Sequence, residues 1–222
     1  MQIYKQEVKT MCRLLAMRSN TAFAIASVLK KFAKISRNSK EYQGHGWGCA
    51  WKNTAGNWKY YKNLKPIWTD NLNQFDKTTF FIAHARSAFE DRNIIIENNM
   101  PFYDNNYIFI FNGELRGVKI REQGRIGAEK IFNYIKRFDK GNMQEALEKA
   151  TQFIKKRTTY IKALNIIITD REKLFIYTNF NENEDYFQMW QKQENNTVII
   201  CSDPLEESND WQKIQKNTTM VI

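Results

Sequence analysis

Cys12 stands directly after Met11 and opens the run Cys-Arg-Leu-Leu-Ala-Met (Cys12 to Met17). A cysteine with a free α-amino group carries nucleophile and base in one residue. The amine, with a reference pKa of about 7.7–8.0, can take the thiol proton near neutral pH. A start methionine is normally trimmed before a small residue, so a chain begun at Met11 would expose that cysteine. Eleven residues precede Cys12 as the chain is written. Residues 1–11 therefore read as an extension, a propeptide or a misassigned start, and residues 12–222 as the working domain. Cys12 becomes this kind of nucleophile only when it is N-terminal.

Four further segments carry residue types suited to chemistry. Gly46-Trp47-Gly48-Cys49-Ala50-Trp51 begins a strand with glycines where a backbone must come close to something; a tight turn feeding a strand accounts for it equally well. Ala83-His84-Ala85-Arg86-Ser87-Ala88 ends an apolar strand with an arginine, the usual bidentate partner of a carboxylate. Arg86 is thus either a substrate anchor or half of an ordinary surface ion pair. His84 shares its face and reads as a structural hydrogen-bonder rather than a base. Asn112-Gly113 after a strand is by itself a hairpin signal. An Asn amide and a neighbouring Gly N–H are also the two converging donors of an oxyanion hole. Gly124-Arg125-Ile126-Gly127-Ala128-Glu129 opens a helix, where free N–H groups attract anions, although plain helix entry with Glu129 near the positive end suffices.

The elements that must position these groups follow from periodicity. Cys12 to Arg18 reads as a buried strand and Thr21 to Ile35 as a helix with Ile25, Val28, Leu29 and Phe32 on one face. Gly46 to Lys52 and Trp58 to Asn63 form a strand pair, with Thr79 to Ala85 and Tyr107 to Phe111 as further strands. Two amphipathic helices follow, one bearing Ile131, Phe132 and Ile135 and the other Leu147, Ala150 and Ile154. Short strands close the chain at Ala163 to Thr169, Lys173 to Thr178, Asp185 to Trp190, Thr197 to Cys201 and Thr218 to Ile222. Strands, a helix pair and strands again suggest two sheets with helices packed outside them.

Composition narrows the function classes. Hydrophobic content of 42% with 14% aromatics, across 222 residues, supports one folded domain with a substantial core. Three prolines and nine glycines mark no linker. No apolar run approaches the roughly 18 residues of a membrane span, and Met1 to Thr10 lack a signal-type apolar region. Three widely spaced cysteines (Cys12, Cys49, Cys201) and only two histidines argue against a disulfide framework, a zinc site or any metal cluster, and point to a reducing cytoplasm. The net charge of +10 comes from scattered basic residues, which argues against a nucleic-acid partner.

In this order, the segments resemble the class II glutamine amidotransferases, a family of N-terminal-nucleophile hydrolases. Met11-Cys12-Arg13-Leu14-Leu15 resembles the start of its short single-domain members, which include γ-glutamyl hydrolases. Gly46 to Trp51, Ala83-His84-Ala85-Arg86 and Asn112-Gly113-Glu114-Leu115 are similar to its G-W-G, A-H-x-R and N-G-x-L segments. Leu164 to Asp170, Cys201 to Leu205 and Trp211 to Ile214 resemble its closing motifs. The resemblance implies an α+β fold, a four-layer α/β/β/α sandwich of two mainly antiparallel sheets between helices. It also implies catalysis by Cys12 with an oxyanion hole from Asn112 and Gly113. Arg86 would hold the substrate α-carboxylate, and Trp47 and Gly48 would line the substrate site.

The implied reaction is hydrolysis of a γ-glutamyl amide, in glutamine or a γ-glutamyl peptide or conjugate, through a thioester on Cys12 and without a cofactor. Ammonia transfer would require a separate synthase subunit. The sequence departs from the family at Gly127, where an aspartate usually grips the substrate amine. Loss of such a charge-assisted hydrogen bond costs about 1.5–3 kcal/mol. Phe111, Met100 and His45 also stand where His, His and Asp are usual. The alternative function is therefore a non-catalytic binding or regulatory subunit on the same fold. A basic polyanion-binding module is the third reading.

Overall fold

The computed structural model describes residues 11–222; the expectations for Met1 to Thr10 lie outside the described residues. The chain forms two antiparallel sheets. In the first, β1 (Arg13–Ala24) pairs with β4 (Lys77–Ala85), and the pair is extended by β2 (Trp47–Lys52) and β3 (Trp58–Asn63). On the other side of β1 stand β10 (Thr197–Cys201), β9 (Trp190–Glu194) and β11 (Gln212–Lys213), giving the order β11-β9-β10-β1-β4-β2-β3. The second sheet runs β12 (Thr218–Val221), β8 (Leu174–Thr178), β7 (Thr158–Thr169), β6 (Ile108–Val118) and β5 (Phe102–Tyr103).

Alternation along β1 shows how the layers are built. Leu14 and Ala16 face the core between the sheets with Ile108 and Ile110 of β6, whose alternate residues Phe109 and Phe111 turn to the opposite face, where Phe109 stacks on Phe132. Leu15 and Met17 face the opposite way, against Ile25, Leu29 and Phe32 of α1 (Ile25–Arg37). On the far side, α2 (Gly127–Lys136) and α3 (Met143–Lys156) bury Ile131, Phe132, Leu147 and Ile154 against the second sheet. The order helix, sheet, sheet, helix pair is the expected four-layer α/β/β/α sandwich. Among the described residues, no helix is long and apolar enough to cross a membrane.

Three local expectations are corrected. The helix expected from Thr21 begins only at Ile25, because β1 continues past a bulge and pairs Phe23 with Thr78 and Ala24 with Lys77. Asn112-Gly113 is no hairpin: β6 runs through it to Val118, matching Asn112 to Asn165 and Gly113 to Leu164. The turn lies upstream, where the Asp104 carboxylate accepts the backbone N–H groups of Asn106 and Tyr107, each at 2.9 Å. The strand expected at Asp185 to Trp190 is instead a short helix, α4 (Glu184–Phe187), followed by β9. Asn165 secures that helix by donating to the Phe187 carbonyl at 2.8 Å.

Candidate active site

Cys12 leads into β1 on the face that Leu14 continues, between the sheets. Its backbone N–H donates to Asn112 Oδ1 at 2.9 Å, tying the first sheet to β6 of the second. The bond orients the Asn112 amide: the oxygen must face the donor, so Nδ2 faces away. Asn112 is fully buried, and its Nδ2 has no hydrogen-bond partner among the described residues.

Gly113 supplies a second donor through strand geometry. Leu164, opposite it on β7, exchanges backbone hydrogen bonds with Asn179 at 2.7 and 3.2 Å. Gly113 and Leu164 therefore form a non-hydrogen-bonded pair, and the Gly113 N–H points away from β7. β5 reaches β6 only at Ile108 and Phe109, so it does not cover that edge.

The Cys12 thiol is bracketed by Ser87, whose N–H donates to Sγ at 3.4 Å and whose carbonyl accepts from it at 3.6 Å. Burial pushes the thiol up to about 11, against the lowering effect of the Ser87 backbone and the Arg86 charge. With residues 1–11 attached, Cys12 is thus a protonated thiol near neutral pH.

Arg86 is nearly fully buried, which removes the surface ion-pair reading. Its Nη1 donates to Asn99 Oδ1 at 3.1 Å and its Nη2 to the Asn93 carbonyl at 2.9 Å. Burial lowers its pKa and the nearby Cys12 raises it. Asn99 is itself braced by donating to the Asn63 carbonyl at 2.9 Å. Gly46 makes room for this brace: with φ +106, it would place a Cβ 2.2 Å from Asn99 Nδ2.

Trp47 and Gly48 fall on opposite faces of β2. Gly48 is on the inter-sheet face, where a Cβ would lie 2.5 Å from the Met100 carbonyl. Trp47 is turned to the α1 side, so its indole is not among the groups brought to Cys12. It donates to Asp70 Oδ2 at 2.9 Å, which also accepts from Tyr61 at 2.8 Å and Asn63 at 2.7 Å. The connection Asp70–Asn63–Asn99–Arg86 fixes the arginine from outside the site.

The two histidines take supporting places. His45 Nδ1 accepts the Ala88 N–H at 2.9 Å, and its Nε2 lies 3.4 Å from Asp91 Oδ1. It thereby orders the turn that holds Ser87. His84 is completely buried, and burial first, then the Arg86 charge, lower it to about 3. Neither ring nitrogen has a partner of good geometry among the described residues, although the Phe111 backbone lies close enough to favour the protonated ring. The expectation of a structural hydrogen-bonder is corrected to a neutral packing residue.

Gly127 begins α2, where an added Cβ would meet nothing within 4 Å. Glu129, in the first turn, is engaged by Arg125, whose backbone N–H and guanidinium both donate to it, at 2.6 and 2.5 Å. No group of three or more His, Cys, Asp or Glu suited to a metal occurs among the described residues.

Sequence reasoning did not find Ser87, Asn99, Gln43 or Tyr186. Ser87 acts through its backbone, which leaves no side-chain signal. Gln43 and Tyr186 meet only in the fold: Gln43 Nε2 donates to the Met11 carbonyl, and the Tyr186 hydroxyl donates to the same oxygen at 2.8 Å. The Arg13 guanidinium lies 4.1 Å from the centre of the Tyr186 ring.

Comparison with known proteins places the chain. Among solved structures, it is similar to a glutamine aminotransferase class-II domain protein from Silicibacter pomeroyi (TM-score 0.67, 16% identity), over 95% of this chain and 94% of that one. A predicted glutamine amidotransferase from Pseudomonas aeruginosa gives 0.59 and 15%, over 95% of this chain and 96% of that one. Glutamine phosphoribosylpyrophosphate amidotransferase from B. subtilis gives 0.62 and 13%, over 86% of this chain and 42% of that one. At these identities the likeness is one of fold. No curated protein matches the chain. The family model "Glutamine amidotransferases class-II" matches residues 11–187, which span Cys12, Arg86, Asn112 and Gly113. On that match, the chain belongs to the class-II glutamine amidotransferases.

Proposed function

We propose that, with Cys12 at its N-terminus, the protein hydrolyses the γ-glutamyl amide bond of glutamine or of a γ-glutamyl peptide or conjugate. One observation carries the reading. Asn112 holds the Cys12 nitrogen through Oδ1, while its buried Nδ2 has no partner among the described residues. A buried donor without a partner costs about 1–3 kcal/mol, a cost that a ligand oxygen would offset.

In the proposed reaction, the Cys12 amine takes the thiol proton and Sγ bonds to the γ-carbonyl carbon. Charge then collects on the carbonyl oxygen, facing Asn112 Nδ2 and the Gly113 N–H. The resulting ammonium returns its proton to the leaving nitrogen as the C–N bond breaks, leaving a γ-glutamyl thioester. Water, activated by the same amine, attacks the thioester carbon and releases glutamate and the Cys12 thiol. Arg86 receives the substrate α-carboxylate, which replaces the Asn93 carbonyl on Nη2. Simple hydrolysis needs no second subunit, whereas ammonia transfer would need a synthase partner. Free Cys12, Cys49 and Cys201 support a reducing compartment, the cytoplasm.

A second reading, a non-catalytic binding or regulatory subunit, is favoured by Gly127 and by an Arg86 already engaged within the protein. Intact mass and N-terminal sequencing, followed by a thiol-reactive glutamine analogue, separate the two. Labelling of an N-terminal Cys12 supports the enzyme, as does loss of turnover in Cys12→Ala. A Cys12 that stays internal and unlabelled removes it.

A further inference from the structure

We propose that the niche filled by Met11 becomes, once residues 1–11 are removed, the subsite for the leaving group. The niche suits an amine whose substituent carries an oxygen acceptor and an apolar side chain, as in a γ-glutamyl dipeptide ending in an apolar residue. This inference rests on the hydrolase reading above and names the substrate class within it.

The argument begins at the Cys12 nitrogen. As the group that returns a proton, it must lie about 2.6–3.2 Å from the departing nitrogen. The Met11 carbonyl carbon is one peptide bond, about 1.33 Å, from that same nitrogen. Whatever the departing nitrogen carries therefore projects into or beside the volume that Met11 occupies.

That volume is lined for a particular chemistry. Met11 is 2% exposed and clusters with Ala163, Phe180, Tyr186 and Phe187, so its side chain lies in an apolar enclosure. Its carbonyl oxygen takes two side-chain donors, Gln43 Nε2 and the Tyr186 hydroxyl. Gln43 is fully buried, and its Oε1 has no partner among the described residues, which leaves an acceptor for a ligand N–H. The donors are held in place without Met11: Gln43 Nε2 also donates to the Glu41 carbonyl at 3.0 Å, and Arg13 lies over the Tyr186 ring. Ammonia, the leaving group of glutamine, would leave both the donors and the apolar enclosure unmet.

The test uses the protein with Cys12 verified as N-terminal by intact mass. Values of kcat/KM are compared for glutamine, γ-glutamylglycine and γ-glutamylmethionine. We expect γ-glutamylmethionine to exceed both others by about tenfold or more, the worth of one buried apolar side chain. Tyr186→Phe should lower the ratio of γ-glutamylmethionine to glutamine by up to about tenfold, the scale of one lost hydrogen bond. If that variant does not fold, the wild-type series decides alone. A flat series, or a preference for glutamine, overturns the subsite and leaves the hydrolase reading intact. Absence of turnover and of thioester with all three substrates overturns both.

Discussion

The Cys12 backbone nitrogen and Asn112 Oδ1 lie 2.9 Å apart, 100 residues apart in the chain. This contact joins the two sheets at the point where the nucleophile begins. It also determines which end of the Asn112 amide faces away from Cys12, so one side chain both holds the attacking group and presents a donor.

Asn112→Asp divides those two roles. The carboxylate keeps an acceptor for the Cys12 nitrogen but has no N–H to offer a developing oxyanion. We expect kcat to fall by about 10²–10³, with KM changed only a few-fold. Steady-state hydrolysis of a chromogenic γ-glutamyl anilide by the form with N-terminal Cys12 measures both. An unchanged kcat would remove Asn112 from the oxyanion hole.

The Cys12 thiol gives a pH signature of processing. In the chain that keeps residues 1–11, burial holds the thiol at about 11. Its thiolate fraction at pH 8 is then on the order of 10⁻³, and alkylation should quicken about tenfold per pH unit up to about pH 10. Once the α-amine is free, with a reference pKa of about 7.7–8.0, the profile should flatten near that pH. Iodoacetamide labelling of the Cys12 peptide, followed by mass spectrometry in both forms, reads the difference. A plateau by pH 8 in the long form contradicts the buried, protonated thiol.

What could be read from the sequence was set by how local each signal is. Cys12, Arg86, Asn112 and Gly113 were marked by residue types whose chemistry does not depend on the fold. The hairpin reading of Asn112-Gly113 failed because the same dipeptide is compatible with a continuous strand when β7 pairs along its whole length. Thr21 to Ala24 fitted a helix as far as apolar spacing goes, yet pairing with β4 across the sheet decides their state. Gln43 and Tyr186 are 143 residues apart and were invisible, since only the packing of α4 beside Met11 makes them neighbours. Asp70 was likewise silent: a lone surface-type carboxylate becomes the hub of three donors only when β2 and β3 are paired.

That hub yields a prediction about binding at a distance. Burial alone would push the Asp70 carboxyl up, but hydrogen bonds from Tyr61, the Asn71 backbone, Trp47 and Asn63 hold it below the usual carboxylate range. Asp70→Asn keeps the shape and removes the charge, so stability should fall by about 1–3 kcal/mol. Loosening Asn63 also loosens Asn99 and hence Arg86, so KM for a γ-glutamyl substrate should rise several-fold with kcat nearly unchanged. Arg86→Lys, which loses the forked donor geometry directly, should raise KM by about 10- to 100-fold. If Asp70→Asn changes only the urea midpoint and leaves KM alone, Asp70 is structural and does not position Arg86.

The last prediction concerns acid stability. His84 is fully buried, and burial, reinforced by the Arg86 and Lys62 charges, lowers its folded-state pKa to about 3, against 6.5 for the free side chain. Between those values the unfolded chain binds a proton that the folded chain does not. Stability therefore falls as pH drops from about 6.5 toward 3, with a slope of up to about 1.4 kcal/mol per pH unit from this group. Above pH 7 both states hold a neutral imidazole and the contribution is constant. Below pH 3 both are protonated and the loss is complete. Urea unfolding at pH 7, 5 and 4 should show the decline, and His84→Leu should flatten it by about one proton's worth whatever the variant does to absolute stability. Parallel curves for wild type and variant would mean that His84 binds its proton as readily in the folded protein as in the unfolded chain, and the neutral packing role would fall.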